Sequence, residues 1–315
     1  MHRWFLVLVL LFATPISAAQ AGDESFHAGI ARIAISAAVP FDALVWYPTE
    51  AEAASWQVGP FLLPANHGAP VADGQFPIVL LSHGGGTSGG TPLILSELSA
   101  ALARRGFVVV APLHGKANLS LRPLQIRAAL DGVLADPRFG SHADPERLGM
   151  LGFSLGGAVT LELAGARPDW PYFLAYCGVH PDDAMSCDHA PGGTHLGEPP
   201  IVPKPLPLKA IVLLDPFAVP FPRDGLTAVG LPVLLFRPDR SALPIERNAA
   251  ALRATLPQAP VYVTVPGGHF IFIDVCEPAL RATAPEVCEE APDVDRAAVH
   301  AGIERQIAGF FSDRL

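Results

Sequence analysis

The hexapeptide Gly152-Phe153-Ser154-Leu155-Gly156-Gly157 carries the side chain best suited to covalent chemistry, the Ser154 hydroxyl. It lies between an apolar segment typical of a strand, LGMLGF, and an apolar helical segment, LGGAVTLEL. Gly-x-Ser-x-Gly at a strand–turn–helix junction is the arrangement called a nucleophile elbow, in which the hydroxyl projects above the edge of a sheet. The sequence therefore predicts that Ser154 is a nucleophile that attacks an acyl carbon.

A glycine-rich run, Ser82-His83-Gly84-Gly85-Gly86, directly follows the apolar segment PIVLLS. Glycine has no Cβ and tolerates positive φ, so the backbone of such a run can approach a substrate closely. We expect the N–H groups of Gly85 and Leu155 to form an oxyanion hole, which binds the charge that develops on the substrate oxygen. His83 itself is interpreted as a structural residue.

A histidine and an aspartate are needed to activate the serine. His269 follows the segment VYVTV and the turn Pro266-Gly267-Gly268, and we predict that it is the general base. Two aspartates are candidates for the acid that orients the imidazole. Asp239 follows PVLLF, the apolar segment before that of His269, and is preferred on this ground; Asp215, at the end of KAIVLLD, is the alternative.

Apolar runs alternate with segments of helical periodicity along the chain. This alternation predicts an α/β domain over residues 22–315, with a mostly parallel central sheet and helices on both faces. The predicted strands are Ile30–Ile35, Phe41–Tyr47, Pro77–Ser82, Phe107–Ala111, Leu148–Phe153, Leu208–Leu214, Val233–Phe236 and Val261–Val265. The predicted helices are Thr91–Arg105, Pro123–Ala135, Leu155–Ala166, Glu246–Thr255 and Asp293–Phe311.

Residues 167–207 interrupt this alternation, because they contain nine prolines. We expect no regular helix or central strand there, and we interpret the segment as an ordered, proline-rich lid. It also contains side chains of the types that bind zinc: His180, Asp182, Asp183, Asp188, His189 and His195. Because such side chains are common in polar loops, we expect no metal there.

The composition and the N-terminal segment exclude several classes of protein. Of 315 residues, 50% are hydrophobic and 16% are charged, which excludes intrinsic disorder, and the net charge of −9 argues against nucleic acid as a partner. Residues 1–21 have the features of a cleaved secretory signal peptide: a basic start, the apolar run Trp4–Ala13, and Ala19-Gln20-Ala21. No later apolar segment approaches the ~20 residues needed to span a bilayer. We expect an exported protein, periplasmic or secreted, while nothing in the pattern indicates an oligomeric state.

The four cysteines form two pairs that are close in sequence. In an oxidising compartment they allow three connectivities. We expect the local pairing, Cys177–Cys187 and Cys276–Cys288; four buried free thiols are the alternative.

These segments together resemble the α/β-hydrolase superfamily, and within it a secreted bacterial dienelactone hydrolase-like group related to platelet-activating-factor acetylhydrolases. The resemblance rests on FPIVLLSHGGG, RRGFVVVAPLHG, LGMLGFSLGGAVTLELAG, PVLLFRPDRSALP and VPGGHFIFID. It implies a serine esterase without a cofactor. The pattern of this group assigns the acid to Asp239, whereas that of the acetylhydrolases assigns it to Asp215. Dienelactone hydrolases use a cysteine nucleophile, whereas this chain has Ser154.

Three functions fit the sequence. The first is hydrolysis of a small-molecule or lipid ester through an acyl-enzyme intermediate. The second uses the same residues to cleave amides or peptides. The third is a non-catalytic protein that uses this fold for binding.

Overall fold

The computed structural model describes residues 24–85, 90–187 and 203–315. The predicted signal peptide lies outside these residues, and so does Gly86 of the glycine-rich run. Three of the zinc-binding types of side chain noted in the predicted lid, Asp188, His189 and His195, also lie outside them. Within the described range, no helix is both long enough and apolar enough to cross a membrane.

A mixed sheet of nine strands runs through the described part of the chain, in the order β11-β10-β9-β8-β6-β7-β2-β1-β5. Strands β6 to β11 are parallel to one another, whereas β2 is antiparallel to both β7 and β1. The predicted mostly parallel sheet is therefore confirmed. The strands of this sheet are β1 (His27–Ile35), β2 (Phe41–Thr49), β5 (Asn66–His67), β6 (Phe76–Ser82), β7 (Val108–Pro112), β8 (Ala143–Phe153), β9 (Ala210–Leu214), β10 (Val233–Arg240) and β11 (Val261–Gly268). The short strands β3 (Trp56–Val58) and β4 (Phe61–Leu63) pair with each other in a separate two-stranded sheet.

Helices cover both faces of this sheet. They are α1 (Ser96–Arg104), α2 (Arg122–Ala135), α3 (Leu155–Leu163), α4 (Trp170–Val179), α5 (Ala184–Cys187), α6 (Ala249–Thr255), α7 (Pro278–Thr283), α8 (Pro285–Cys288) and α9 (Arg296–Ser312). Apolar residues of α1 and α9 belong to one core cluster, and those of α2, α3 and α6 to the other. Strand β9 is fully buried between the two clusters, which explains its unbroken apolar sequence.

The expectation that no regular helix occurs within residues 167–207 is wrong. Helix α4 covers ten of these residues. Pro171 is in its first turn, where the missing N–H would have no partner inside the helix, so the proline is tolerated. The Asp169 side chain caps this turn by accepting a hydrogen bond from the Tyr172 N–H at 2.9 Å.

Two disulfides lie outside the central sheet. Cys177 of α4 is bonded to Cys187 of α5, and Cys276 is bonded to Cys288 of α8. No cysteine is free. The bonds have the local pairing expected from the sequence, and they fit a protein that folds in an oxidising compartment.

The sheet register brings the chemically important residues to one edge. In parallel strands the carboxyl ends lie at the same edge of the sheet, where α/β proteins bind their ligands. Phe153 of β8 pairs with Leu214 of β9, so the next residues, Ser154 and Asp215, leave the sheet side by side. His269 directly follows β11, two strands further along the same edge.

Candidate active site

Ser154 occupies a sharp turn between β8 and α3. Its φ is 52° and its ψ is −117°, a backbone conformation that costs a non-glycine residue free energy and tends to occur at functional sites. The turn is held on both sides: the Ser154 N–H donates to the Leu214 carbonyl at 3.0 Å, and the Phe217 N–H donates to the Ser154 carbonyl at 2.9 Å. These bonds fix the turn at Ser154 to the end of β9.

The glycines of the elbow allow very close packing. A Cβ on Gly156 would lie 1.8 Å from the carbonyl oxygen of Ser82, and one on Gly157 would lie 2.4 Å from the Pro216 Cβ. Neither contact is possible for a residue with a side chain. The first turn of α3 therefore touches both the end of β6 and the residue after Asp215.

Three side chains form a continuous hydrogen-bonded chain at this edge. The Ser154 Oγ lies 3.0 Å from the His269 Nε2, and the His269 Nδ1 lies 2.6 Å from the Asp215 Oδ2. All three residues are buried. This arrangement can pass the hydroxyl proton to the imidazole while the carboxylate holds the proton on Nδ1.

Asp239, the preferred carboxylate of the sequence analysis, does not contact His269. Its side chain is 48% exposed, and its Oδ1 accepts a hydrogen bond from the Gly267 N–H at 2.9 Å, so it braces the turn before His269. The ranking of the two aspartates is therefore corrected in favour of Asp215. The physical reason is the strand order: β9 is next to β8, whereas β10, which carries Asp239, is one strand further away.

Two further residues, which were not predicted, hold either the Asp215 carboxylate or the loop that follows it. The Ser241 Oγ donates a hydrogen bond to the Asp215 Oδ2, the same oxygen that faces His269. Asn248 is buried, and its Oδ1 accepts a bond from the Ala218 N–H at 2.7 Å, which holds the loop after Asp215. Ser241 lies in the segment FRPDRSALP beside Asp239, but no spacing rule in the sequence identifies either residue.

The glycine-rich run packs directly against Ser154. A Cβ on Gly84 would lie 3.1 Å from the Phe153 ring and 3.5 Å from the Ser154 Cβ. Within the described part of the chain, the Gly85 N–H makes no hydrogen bond. Leu155 is the first residue of α3, where helix N–H groups favour negative charge. Leu155 thus directly follows Ser154, and Gly84, the residue before Gly85, packs against it.

Two buried histidines lie behind this run. Burial, with a contribution from the positive charge of Arg122, lowers the pKa of His83 to about 3, and burial also lowers the pKa of His114 well below its usual range. The His114 Nε2 accepts from the Ser82 Oγ at 3.0 Å, and the His114 Nδ1 lies 2.8 Å from the Gln125 Oε1. His83 and His114 are therefore neutral at physiological pH, which fits the structural role expected for His83.

One group of three side chains in the described residues has donor atoms close enough to hold a metal ion. Glu97, Asp274 and His300 have ligand-type atoms within 4.8 Å of one another. Burial raises the pKa of Asp274 to about 7 and also raises that of Glu97, so protons can neutralise these carboxyls. None of the three hydrogen-bonds to Ser154, His269 or Asp215.

In the predicted lid, the Asp183 carboxylate, one of the side chains of a zinc-binding type, is hydrogen-bonded within the protein. It accepts hydrogen bonds from the Tyr176 hydroxyl at 2.7 Å and from the Ser186 N–H at 3.1 Å. These bonds join α4 to α5.

Comparison with solved structures identifies the fold. A ferulic acid esterase from Streptomyces cinnamoneus aligns with a TM-score of 0.63 over 93% of this chain and 92% of that chain, at 22% sequence identity. The chain has the α/β-hydrolase fold. No family model matches the sequence, so the resemblance to the dienelactone hydrolase-like group stays a prediction.

Curated relatives match this chain over short segments. Lipase 1 of Moraxella sp. (strain TA144) is 43% identical over 68 residues, which is 21% of each chain. Cutinase est1 of Thermobifida alba is 38% identical over 87 residues, 25% of this chain and 28% of that protein. The matches thus span about a quarter of the length of these relatives.

Proposed function

We propose that this α/β-hydrolase is a serine esterase that cleaves carboxylic esters through an acyl-enzyme intermediate. The observation that carries the proposal is the hydrogen-bonded chain from the Ser154 Oγ through His269 to the Asp215 carboxylate. The names of the relatives, a lipase and a cutinase, and of the structural neighbour, a ferulic acid esterase, support an ester as the substrate.

In the proposed mechanism, the Ser154 oxygen attacks the ester carbonyl while the His269 Nε2 takes the hydroxyl proton. The substrate oxygen becomes negative, and the N–H groups of Gly85 and Leu155 bind it. When the intermediate collapses, the protonated imidazole gives its proton to the leaving alcohol, and the acyl group stays on Ser154. A water molecule, deprotonated by the same imidazole, then releases the acid and restores the enzyme.

The Asp215 carboxylate has two roles in this mechanism. It accepts the hydrogen bond of the His269 Nδ1–H, so that Nε2 faces Ser154 with a free lone pair. It also stabilises the imidazolium that forms when the proton is transferred. No metal or cofactor takes part in the proposed reaction.

The test is a panel of p-nitrophenyl esters of increasing acyl length, hydrolysed by the wild type and by Ser154→Ala. We expect activity on at least part of the panel, and a loss of roughly 10⁴-fold or more in kcat for the variant. Ser99→Ala is the matched control, because Ser99, in α1, is also buried but donates its hydroxyl to the Leu95 carbonyl. Ser154→Ala with wild-type turnover would overturn the proposal.

The same panel separates the alternative functions. An amidase or peptidase would also turn over the matched p-nitroanilides, whereas an esterase would cleave the esters and leave the anilides essentially intact. A non-catalytic binding protein would cleave neither, and a fluorophosphonate would leave Ser154 unlabelled.

We also propose that the protein is exported. Both disulfides support this location, because such bonds persist in oxidising compartments. The apolar N-terminal segment supports it independently. N-terminal sequencing of protein recovered from the periplasm or the medium tests the proposal, with cleavage expected after Ala21.

A further inference from the structure

A buried arginine lies directly behind the glycine-rich run. Arg122 is only 1% exposed and is the first residue of α2. Its Nη1 donates to the carbonyls of His83 at 2.8 Å and of Gly84 at 3.2 Å, and its Nε donates to the Ala117 carbonyl at 3.0 Å. One guanidinium group thus binds the glycine-rich run and the loop that precedes α2.

Helix stability alone does not explain a cation at this position. The N-terminus of a helix carries partial positive charge and favours anionic side chains. Burial also disfavours the charged guanidinium and lowers the pKa of Arg122 to about 10, so the side chain still carries its charge at neutral pH. The two unfavourable effects suggest that the hydrogen bonds to the carbonyls serve another purpose.

The bonds to Gly84 fix the orientation of one peptide group. The Gly84 carbonyl also lies 2.8 Å from the His83 Nδ1. The His83 Nε2 accepts from the His114 N–H at 3.4 Å, so the ring proton of the neutral imidazole is on Nδ1 and is donated to Gly84. Two donors, one of them cationic, therefore hold this carbonyl oxygen.

The Gly84 carbonyl and the Gly85 N–H belong to the same peptide group. In a planar trans peptide the C=O and N–H bonds point in opposite directions. Fixing the carbonyl towards Arg122 and His83 therefore fixes the Gly85 N–H in the direction away from them. A cation on the carbonyl side also polarises the group and makes the N–H a stronger donor.

We propose that Arg122 is a positioning residue of the oxyanion hole, which orients and polarises the Gly84–Gly85 peptide group so that the Gly85 N–H binds the substrate oxyanion. This inference rests on the proposed esterase function. Arg122 touches no substrate atom in this account; it acts through the backbone.

The test compares Arg122→Met and Arg122→Lys with Arg105→Met. Arg105 is the matched control, because its side chain is only 12% exposed and its Nη1 donates to the Ala101 carbonyl at 2.9 Å. It precedes β7, so it lies at the opposite edge of the sheet from Ser154. For each protein we would measure the Tm, kcat and KM for p-nitrophenyl acetate, and the affinity for phenylboronic acid, which forms a tetrahedral adduct with an active-site serine.

For Arg122→Met we expect kcat to fall roughly 10- to 100-fold, with KM nearly unchanged. This decrease is no larger than the decrease in kcat caused by removing an oxyanion donor itself. Boronic acid binding should weaken by a similar factor, because the adduct also needs the oxyanion hole. Arg105→Met should lower the Tm but leave kcat within about twofold, since surface or remote changes do not alter transition-state binding.

A folded Arg122→Met enzyme with wild-type kcat would overturn the inference, as would an equal loss of kcat in Arg105→Met. If Arg122→Met does not fold, Arg122→Lys decides. A lysine keeps the charge but lacks the rigid fork that reaches several carbonyls, so kcat should fall at least several-fold. Unchanged kcat in folded Arg122→Lys contradicts the proposal.

The Ser154→Ala variant in the same assay separates the two proposals. If Ser154→Ala keeps full activity, the esterase proposal itself fails. If Ser154→Ala is inactive while the Arg122 variants retain wild-type kcat, only the role of Arg122 is wrong.

Discussion

The two residues that are hydrogen-bonded to His269, Ser154 and Asp215, also have a strained backbone conformation. In the described part of the chain, positive φ outside glycine occurs only at Ser154 and Asp215, with values of 52° and 38°. Such conformations cost about 1–3 kcal/mol each and persist where the surrounding structure enforces them. Here β8 and β9 enforce them side by side, which is independent support for Asp215 as the partner of His269.

Asparagine substitutions at the two aspartates should have very different effects. Asp215→Asn keeps the shape but removes the charge and favours the wrong imidazole tautomer, so we expect kcat for p-nitrophenyl acetate to fall by roughly 10⁴-fold. Asp239→Asn keeps an oxygen that can accept from the Gly267 N–H, and we expect less than about a tenfold change. A larger loss of kcat in Asp239→Asn than in Asp215→Asn would show that Asp239 is the carboxylate that orients His269.

Ser241 should affect catalysis through Asp215. In Ser241→Ala the carboxylate loses one hydrogen bond, and bonds to charged groups contribute about 1.5–3 kcal/mol. We expect kcat to fall about tenfold or more, because Asp215 is then held less firmly against His269, and we expect the Tm to fall by several degrees. Ser99→Ala, which removes a buried hydroxyl from α1, is the control and should leave kcat unchanged. Equal kcat for Ser241→Ala and wild type would show that Asp215 does not need this bond.

At the scale of elements, the contact between α3 and β6 is the tightest of the site. A Cβ on Gly156 would overlap the Ser82 carbonyl oxygen. We expect Gly156→Ala to lower the free energy of unfolding by more than about 2 kcal/mol and to reduce kcat, because the elbow must shift. Urea unfolding followed by circular dichroism measures the first effect, and p-nitrophenyl acetate hydrolysis the second.

Gly302→Ala is the matched control for this substitution. Gly302 lies within α9, and a Cβ there would meet nothing within 4 Å. Alanine is the better helix former by up to about 1 kcal/mol, so this variant should be slightly more stable and fully active. If Gly156→Ala behaves like Gly302→Ala, the close packing of the elbow is not essential.

The alternation of strands and helices could be predicted from the sequence because buried parallel strands are unbroken apolar runs. Strand β6 was expected at Pro77–Ser82 and occurs at Phe76–Ser82, and α2 differs from its prediction by one residue. Short elements carry too few residues for periodicity to be visible, so β3, β4 and α7 were not anticipated. Helix α4 was missed because proline within a helix looks prohibitive unless its position in the first turn is known.

The candidate site could be predicted only in part, for a similar reason. Ser154 and His269 lie in local motifs, and a motif can be read along the chain. The choice between Asp215 and Asp239 depends on which strand is adjacent to β8, and that is a property of the sheet order. Ser241 and Arg122 act through hydrogen bonds to residues 26 and 38–39 positions away, which no local pattern encodes.

At the scale of the whole molecule, buried carboxyl groups should make stability depend on pH. Burial raises the pKa of Glu162, in α3, from 4.5 to about 8, and raises that of Glu304 to about 7. Between the unfolded and folded pKa values, the unfolded chain releases the proton and the folded chain keeps it. The free energy of unfolding therefore falls as pH rises through this range, by up to about 1.4 kcal/mol per pH unit for each group.

Glu162→Met isolates one of these groups, because methionine has a similar volume and no charge. The free energy of unfolding of the wild type should fall more steeply than that of the variant between about pH 5 and about pH 8. Urea unfolding of both proteins at the two pH values measures how much the free energy of unfolding changes with pH in each. The contributions of the other carboxyl groups are the same in both proteins and cancel when the two changes are subtracted. Parallel pH dependences would mean that Glu162 is already ionised in the folded protein.

Mass spectrometry of the reacting enzyme tests the central claim most directly. The wild type would be mixed with p-nitrophenyl acetate, quenched in acid during turnover, digested and mapped, with Ser154→Ala treated in parallel. We predict one acetyl group on the peptide that contains Ser154, formed with a burst of p-nitrophenol and absent from the variant. Hydrolysis by the wild type without acetyl on Ser154, or undiminished hydrolysis by Ser154→Ala, would contradict it.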